Sequence, residues 1–179
     1  MQPWRRKKGI MRSSAKFTTR FDPLEREVIG DLTATVSEAL IARAQSAPKD
    51  EFAEMMGLAS GHSEAPKDPK LRRLLPDFEM EGDEEFDGDA GLLRSLHEND
   101  IIRAKLLNLQ VVNEALGPTG GVDVAIEEED AQRFVAALND MRLYVSEDDR
   151  GGEAAQQDRE RLLEWLAFCQ ESLLEAMMG

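Results

Sequence analysis

Residues 22–43 read DPLEREVIGDLTATVSEALIAR, and this stretch decides the fold class. Asp22 suits the N-cap of a helix, and Pro23 suits the first helical position, where its missing N–H has no partner within the helix. The apolar residues that follow recur at steps of three or four and predict one buried stripe: Leu24, Val28, Leu32, Val36, Ala39 and Leu40. We therefore expect a long amphipathic helix that ends near Ser46.

The same periodicity returns three times further along the chain. It predicts two helical pieces that start at Ala90 and Asn99, a helix from Glu127 and a last helix from about Asp158, with short helices at 50–58 and 68–75. The core positions of the later helices are Ile102, Leu106, Leu109, Val112, Leu116, Phe134, Leu138, Met141, Val145, Leu162, Leu166, Cys169, Leu173 and Met177. The sequence thus predicts a mainly α fold, a compact helical bundle of four main helices plus short ones.

Two stretches have the character of strands instead. Residues 4–21 contain two short extended pieces around Gly9 and predict a small N-terminal β-hairpin. Val122, Val124 and Ile126 alternate with polar or small residues, which is typical of a short strand with one buried face. We expect this strand to lie beside the hairpin.

Charge is divided by position along the chain. The first 21 residues contain no acidic residue and carry seven cations: Arg5, Arg6, Lys7, Lys8, Arg12, Lys16 and Arg20. The remaining residues carry a net charge of −21, and the whole chain carries −14. We interpret residues 1–21 as a basic arm or hairpin packed on or beside the domain and residues 22–179 as a single acidic helical domain.

The basic arm predicts contact with nucleic acid. Six of its cations would hold phosphates (Arg5, Arg6, Lys7, Lys8, Arg12 and Lys16), with Trp4 available to stack on a base. Neutralising up to seven phosphates would give a slope of about −6 for the logarithm of affinity against the logarithm of salt. The alternative is a solvated hairpin whose cations pair with the acidic body, and no helix-turn-helix, zinc-finger or RNA-recognition pattern supports DNA binding further.

No group of residues predicts catalysis, a metal site or a cofactor. His62 and Ser63 are adjacent, so they cannot easily meet as base and nucleophile. Asp83, Glu85, Asp87 and Gly88 fall on calcium-loop positions, but position 12, which should supply a bidentate Glu, is Arg94. His97, Glu98, Asp100 and Glu114 could be imagined as metal ligands, although capping at a helix junction explains His97 and Asp100 more simply.

Cys169 is the single cysteine, so no internal disulfide can form. Its place on the apolar stripe of the last helix favours core packing over its alternative role as a redox sensor. Residues 176–179 are apolar enough to join a homodimer interface. No stretch is long and apolar enough to span a bilayer, and the single thiol fits a reducing compartment, so we expect a cytoplasmic protein with no membrane contact.

Residues 61–78, GHSEAPKDPKLRRLLPDF, closely resemble the signature segment of an actinobacterial family known as domain of unknown function number two thousand and seventeen. Residues 92–98, LLRSLHE, with Lys105 after them, and residues 138–143, LNDMRL, resemble further family positions in the same order. The resemblance covers nearly the whole chain. It implies a protein without established enzymatic activity, encoded near genes for a Clp protease adaptor and for cysteine synthesis.

Members of that family are described as oxidative-stress transcription regulators that rely on redox-active cysteine pairs, whereas this chain has only Cys169. The resemblance therefore predicts a non-enzymatic transcription regulator linked to oxidative stress and cysteine metabolism. The alternative is a protein-interaction adaptor associated with the Clp protease machinery, without DNA binding. It would use acidic surfaces toward a basic protein partner, together with four side chains of the segment: His62, Glu64, Arg72 and Arg73.

Overall fold

The computed structural model describes residues 1–8, 15–49, 51–57, 60–78, 87–149 and 151–179. The helices are α1 (Pro23–Gln45), α2 (Glu51–Met55), α3 (Pro69–Leu74), α4 (Asp87–Leu116), α5 (Ala131–Ser146) and α6 (Glu153–Met178). The strands are β1 (Arg5–Lys7), β2 (Lys16–Arg20) and β3 (Asp123–Glu127). The predicted mainly α fold with four main helices is confirmed, because α1, α4, α5 and α6 form the bulk of the molecule.

The three strands form one antiparallel sheet in the order β1-β2-β3. Arg6 lies opposite Phe17, and Phe17 lies opposite Ile126. Both the predicted hairpin and the predicted strand beside it are confirmed. Side chains alternate across β2, so that Phe17 and Thr19 are buried while its other three residues face outward to differing degrees. Residues 9–14 of the connection between β1 and β2, including Arg12, lie outside the described ranges.

Helix α1 begins where the sequence predicts, but its buried stripe differs. The Asp22 side chain accepts a hydrogen bond from the Glu25 backbone N–H, and the Glu25 side chain accepts one from the Asp22 backbone N–H, which completes a capping box. The buried residues are Ile29, Thr33, Val36 and Leu40. Of the predicted positions, Val36 and Leu40 are buried and Val28 and Leu32 are half-buried, whereas Leu24 is exposed. The core face also includes a polar residue, because Thr33 Oγ1 donates to the Ile29 carbonyl at 2.7 Å and so can be buried.

Helix α4 is one continuous helix, and the predicted junction between residues 97 and 99 is wrong. The polar run around Glu98 interrupts the apolar spacing and resembles a helix end. Glu98 is instead buried in ion pairs, as described below, so no cap is needed there. Asp87 and Gly88 of the rejected calcium loop belong to the first turn of α4, and Asp83 and Glu85 lie outside the part of the chain that the structure describes.

The boundaries of the last two helices also move. Glu127 ends β3, and a 3₁₀ turn over Glu128–Asp130 precedes α5, which starts at Ala131 rather than Glu127. Helix α6 starts at Glu153, five residues before the predicted position. The predicted core faces are confirmed, since the six central positions are buried: Phe134, Leu138, Met141, Leu166, Cys169 and Leu173.

The hairpin and the helices share one hydrophobic core. Trp4, Phe17 and Phe21 lie in the same buried cluster as the helical residues. The Trp4 ring meets the Phe134 ring edge-on at 5.3 Å, and the Trp4 backbone N–H donates to Ser172 Oγ at 2.8 Å. Trp4 is therefore buried, and the prediction that it is available to stack on a nucleic-acid base is wrong. Among the described helices, none has the length and apolar character needed to cross a membrane.

Candidate functional site

The signature segment, residues 61–78, lies against the first half of α4. Gly61 N–H donates to the Ser95 carbonyl at 2.7 Å. A Cβ atom at Gly61 would lie 3.3 Å from that carbonyl oxygen and 3.4 Å from the Asn99 amide group. A side chain here would make these neighbours shift by a few tenths of an ångström, so glycine favours this close approach of the segment to the helix.

Two arginines share one buried carboxylate beneath the segment. Arg43 Nε lies 2.6 Å from Glu98 Oε1, and Arg94 Nη1 lies 2.8 Å from Glu98 Oε2. Glu98 is 1% exposed and Arg94 is 3% exposed. We name Arg43, Arg94 and Glu98 the ionic clamp. Because it is out of water, each of its charges depends on the others for compensation.

The ionic clamp also holds the signature segment at two places. Arg43 Nη2 donates to the Glu64 carbonyl at 2.5 Å, near the start of the segment. Near its end, Arg94 donates to the Leu75 and Pro76 carbonyls at 3.3 Å and pairs with Asp77 at 2.9 Å. The clamp thus joins α1, α4 and the segment into one unit.

The four predicted partner-binding residues do not act alike. His62 Nε2 lies 2.9 Å from the Arg43 carbonyl and 3.0 Å from Ser46 Oγ, so the ring is hydrogen-bonded to the C-terminal end of α1. The Glu64 side chain is exposed, while the Glu64 backbone carbonyl accepts a hydrogen bond from Arg43 of the clamp. Arg72 pairs with Asp77 at 3.1 Å, and Arg73 lies 3.8 Å from Glu147, both with exposed side chains. Glu64, Arg72 and Arg73 can therefore still meet a partner.

Two lysines connect the signature segment and α4 to α5 and the residues just after it. Lys70 Nζ pairs with Asp148 at 3.2 Å and lies 5.4 Å from the centre of the Tyr144 ring. Lys105 Nζ pairs with the buried Asp140 at 2.7 Å. Burial raises the pKa of Asp140, and the hydrogen bond and charge of Lys105 oppose that rise. Both lysines belong to the stretches that carry the family resemblance, so part of that resemblance reflects ion pairs within the fold.

Three exposed leucines lie on α4 beside the signature segment. Leu92, Leu93 and Leu96 are 57%, 41% and 40% exposed, and we name them the leucine patch. The patch lies next to the segment, because Ser95 accepts the Gly61 N–H and Gly91 approaches the Ser63 carbonyl. The three positions span about 100° of the helix, which is the width of an ordinary core-facing stripe, so their spacing alone does not show that they are exposed.

The predicted phosphate-binding cations divide into two sets. Arg6 pairs with Glu128 at 2.7 Å, and Lys16 pairs with Glu127 at 2.6 Å, as in the alternative of a hairpin paired with its own body. Both would have to leave these carboxylates before holding a phosphate. Arg5, Lys7 and Lys8 are exposed and make no ion pair within the described part of the chain. Arg12 is not among the described residues.

Cys169, the predicted redox residue, is fully buried. Its Sγ lies 3.2 Å from Met1 Sδ. Burial, with a smaller contribution from Glu25, raises the pKa of the thiol to about 12, so it is protonated at neutral pH. A redox role stays a prediction, and it would require α6 to open before an oxidant reached the sulfur.

The imagined metal ligands are dispersed along α4. His97 is exposed, Glu98 belongs to the ionic clamp, and Asp100 lies 3.5 Å from Arg103. Glu114 accepts a hydrogen bond from Gln110 at 2.7 Å. Among the side chains that the structure describes, no group of three or more His, Cys, Asp or Glu residues is placed to hold a metal ion.

Comparison with known proteins identifies relatives along almost the whole chain. The profile of the family described as "Domain of unknown function (DUF2017)" matches residues 1–177. The chain is 32% identical over 186 residues to proteins named "Oxidative stress regulator AosR" from Mycobacterium bovis and Mycobacterium tuberculosis. These alignments cover 94% of this chain and 85% of each relative. The relatives are named as regulators rather than as enzymes, and no solved structure matches significantly. The chain belongs to the DUF2017 family.

Proposed function

We propose that this protein is a non-enzymatic regulator of a response to oxidative stress, and that it acts on transcription through a protein partner. The relationship to proteins named as oxidative stress regulators supports the regulatory part, because it extends over 94% of this chain. Genes of cysteine metabolism are the proposed targets, as the family resemblance implies. The leucine patch on α4 supports the choice of a protein partner.

The leucine patch is the observation that carries this proposal. Clustered exposed apolar side chains on a soluble protein commonly mark an interaction site. Leu92 and Leu96 lie one turn apart on α4, so their side chains share a face. The ionic clamp fixes the neighbouring signature segment, which lowers the ordering entropy that a partner would otherwise have to overcome.

The net charge of the whole chain indicates the chemistry of the partner. The chain carries −14 overall, and the exposed Glu64 lies on the signature segment beside the patch. Such a field attracts a basic protein and increases its rate of association. We therefore expect a partner with an apolar contact surface and a basic rim. An adaptor for the Clp machinery would use the same surface, so the two functions differ in their consequence rather than in their interface.

Partner capture by the full chain tests this proposal. Leu92→Ser with Leu96→Ser removes most of the patch, and Leu107→Ser is the matched control, since Leu107 is 47% exposed further along α4. We expect the double variant to capture about tenfold less partner from peroxide-treated cells, while the control captures as much as the wild type. A captured partner that changes transcript output in a purified system supports a regulator. Degradation of that partner by a Clp protease would instead support an adaptor, and equal capture by all three proteins would contradict the interface.

Direct DNA binding is the second candidate, and it is favoured by Arg5, Lys7 and Lys8, which make no ion pair with any residue that the structure describes. Three such cations predict a salt slope of about −3, at about −0.9 per neutralised phosphate. Full use of the six predicted cations would instead give about −5, because Arg6, Arg12 and Lys16 would also bind phosphate. A titration of the full chain against specific and random duplexes, over a salt series, distinguishes these cases. Absence of binding at low salt would remove this candidate.

A further inference from the structure

The outer face of the sheet contains a shallow cleft that the proposed protein interface does not use. Its polar lining includes Gln2, Arg5, Lys7, Thr18, Arg20 and Asp123. Arg5 lies opposite Thr18 in the β1–β2 pairing, which places a guanidinium beside a hydroxyl group. Cationic and neutral hydrogen-bonding groups thus converge on one small area of an acidic molecule.

The cleft has more positive charge than its own carboxylates neutralise. Lys7 lies directly opposite Lys16, and like charges at such a position repel each other. Glu127 lies opposite Lys16 on the other side and pairs with it at 2.6 Å. This pair compensates Lys16 and leaves Lys7 without a counter-charge within the described residues.

A third cation of the cleft is only loosely held. Arg20 Nη1 lies 3.3 Å and 3.5 Å from the two carboxylate oxygens of Asp123. Both side chains are more than half exposed, so water screens their attraction. Arg20 can therefore turn from Asp123 to an incoming anion at small cost.

Protection of the sheet edge is the competing explanation for these cations. Charged side chains on an edge strand prevent association with another sheet, and β1 lies at the edge. This explanation accounts for Arg5 and Lys7 on β1. It does not account for Arg20 on the central strand, or for the Thr18 hydroxyl and Gln2 beside the cations.

We propose that this cleft binds a compact small molecule bearing two or more linked phosphates. Guanidinium and ammonium groups form strong charge-assisted hydrogen bonds with phosphate oxygens. Charges are screened over about 8 Å at physiological salt, so a small ligand within the cleft meets mainly the local cations. A DNA duplex would extend past the cleft toward the surrounding acidic residues, and for this reason the small ligand is favoured. The site is separate from the leucine patch.

Titration of the full chain with inorganic pyrophosphate tests this site, followed by amide chemical shifts or by calorimetry. Arg5→Ala and Lys7→Ala should each weaken binding by about tenfold, the loss of one charge-assisted hydrogen bond. Lys49→Ala is the matched control, because Lys49 is exposed beyond the end of α1 and does not line the cleft, and it should change the affinity less than twofold. Thermal melting verifies that the variants are folded.

Parallel titrations with sulfate and with a short duplex of arbitrary sequence identify the ligand class. Saturable binding of pyrophosphate that exceeds binding of sulfate, and that depends on Arg5 and Lys7, supports the site. Equal binding of sulfate would show general anion attraction and overturn the proposal. Binding of the duplex without binding of pyrophosphate would overturn it in favour of DNA. No binding of pyrophosphate, with more light scattering by the two variants, would leave edge protection as the role of these cations.

Discussion

The ionic clamp and the cross-strand pairs of the sheet use the same chemistry at opposite degrees of burial. In the clamp, Arg43, Arg94 and Glu98 have side chains that are 10%, 4% and 1% exposed. In the sheet, the side chains of the Arg6–Glu128, Lys16–Glu127 and Arg20–Asp123 pairs are 35% to 76% exposed. This difference shows that burial, rather than the number of ion pairs, decides which charged side chains are needed to hold the fold together.

The two regions consequently have different capacities for function. An exposed pair contributes about 0 to 1 kcal/mol and can exchange partners, so the sheet cations remain available to a ligand. A buried pair that loses one member leaves an uncompensated charge in a medium of low polarity. The clamp is therefore suited to hold the signature segment in place, and the sheet face is suited to bind.

The largest expected effect is at Glu98. Glu98→Ala leaves two arginines without their shared carboxylate and should reduce the free energy of unfolding by about 3 to 5 kcal/mol. Glu128→Ala removes one exposed carboxylate of the sheet and should cost less than about 1 kcal/mol. Urea denaturation of both variants measures the contrast. Similar losses at the two positions would contradict the distinction between the regions.

The next largest expected effect is at Cys169, which burial should protect from thiol reagents. With the pKa of the thiol raised to about 12 from 9.0, the thiolate fraction at pH 7 is about a thousandfold lower than in the unfolded chain. Alkylation by iodoacetamide, followed by intact mass, should be very slow in the native protein and fast in urea. The rate should continue to rise above pH 9, and the free energy of unfolding should fall there, since the unfolded thiol ionises first. Rapid modification of the folded protein at pH 7 would show that the thiol is accessible.

Gly61 tests the contact that the clamp maintains. Gly61→Ala places a methyl group against the Ser95 carbonyl and the Asn99 amide, and overpacking of this kind costs about 1 to 3 kcal/mol. Gly121→Ala is the control, because the nearest atom to its added methyl group lies at 3.9 Å. Thermal melting compares the two variants. Equal stability would mean that the segment approaches α4 less closely than described.

The smallest expected effect is at Asp140, where burial and pairing oppose each other. Its folded pKa is raised, so its contribution to stability is present below its unfolded pKa and is lost as pH rises through the folded pKa. Asp140→Asn imitates the protonated form and should therefore gain stability relative to the wild type between acidic and neutral pH. Melting temperatures across that range measure the trend. An opposite trend would show that Lys105 outweighs the cost of burial.

The sequence predicts those elements whose residue pattern is contained within the element itself. The hairpin, β3 and the buried faces of α5 and α6 follow from alternation or helical spacing, and the Asp22–Pro23 pair marks the start of α1. Thr33 and Glu98 break the apolar pattern, because their burial depends on hydrogen bonds or ion pairs that spacing does not show. The clamp could not be predicted, since Arg43 and Glu98 are 55 residues apart in the chain.

The candidate site likewise has features that the sequence predicts and features that depend on contacts between distant residues. The basic segment was visible as a cluster of cations, but which of them remain free depends on Glu127, Glu128 and Asp123 from a distant part of the chain. The signature segment was visible through its family resemblance. Its attachment to α4 and the exposure of the leucine patch required the packing of the helices to be known.

Hydrogen exchange on the wild type and Glu98→Gln tests most directly the claim that the ionic clamp holds the signature segment. The Gly61 and Leu75 amides, bonded to the Ser95 and Leu71 carbonyls, should exchange slowly in the wild type. In the variant they should exchange much faster, while the Phe21 amide beside the sheet, bonded to the Val122 carbonyl, keeps its protection. Fast exchange of the segment in the wild type, or unchanged exchange in the variant, would contradict the account.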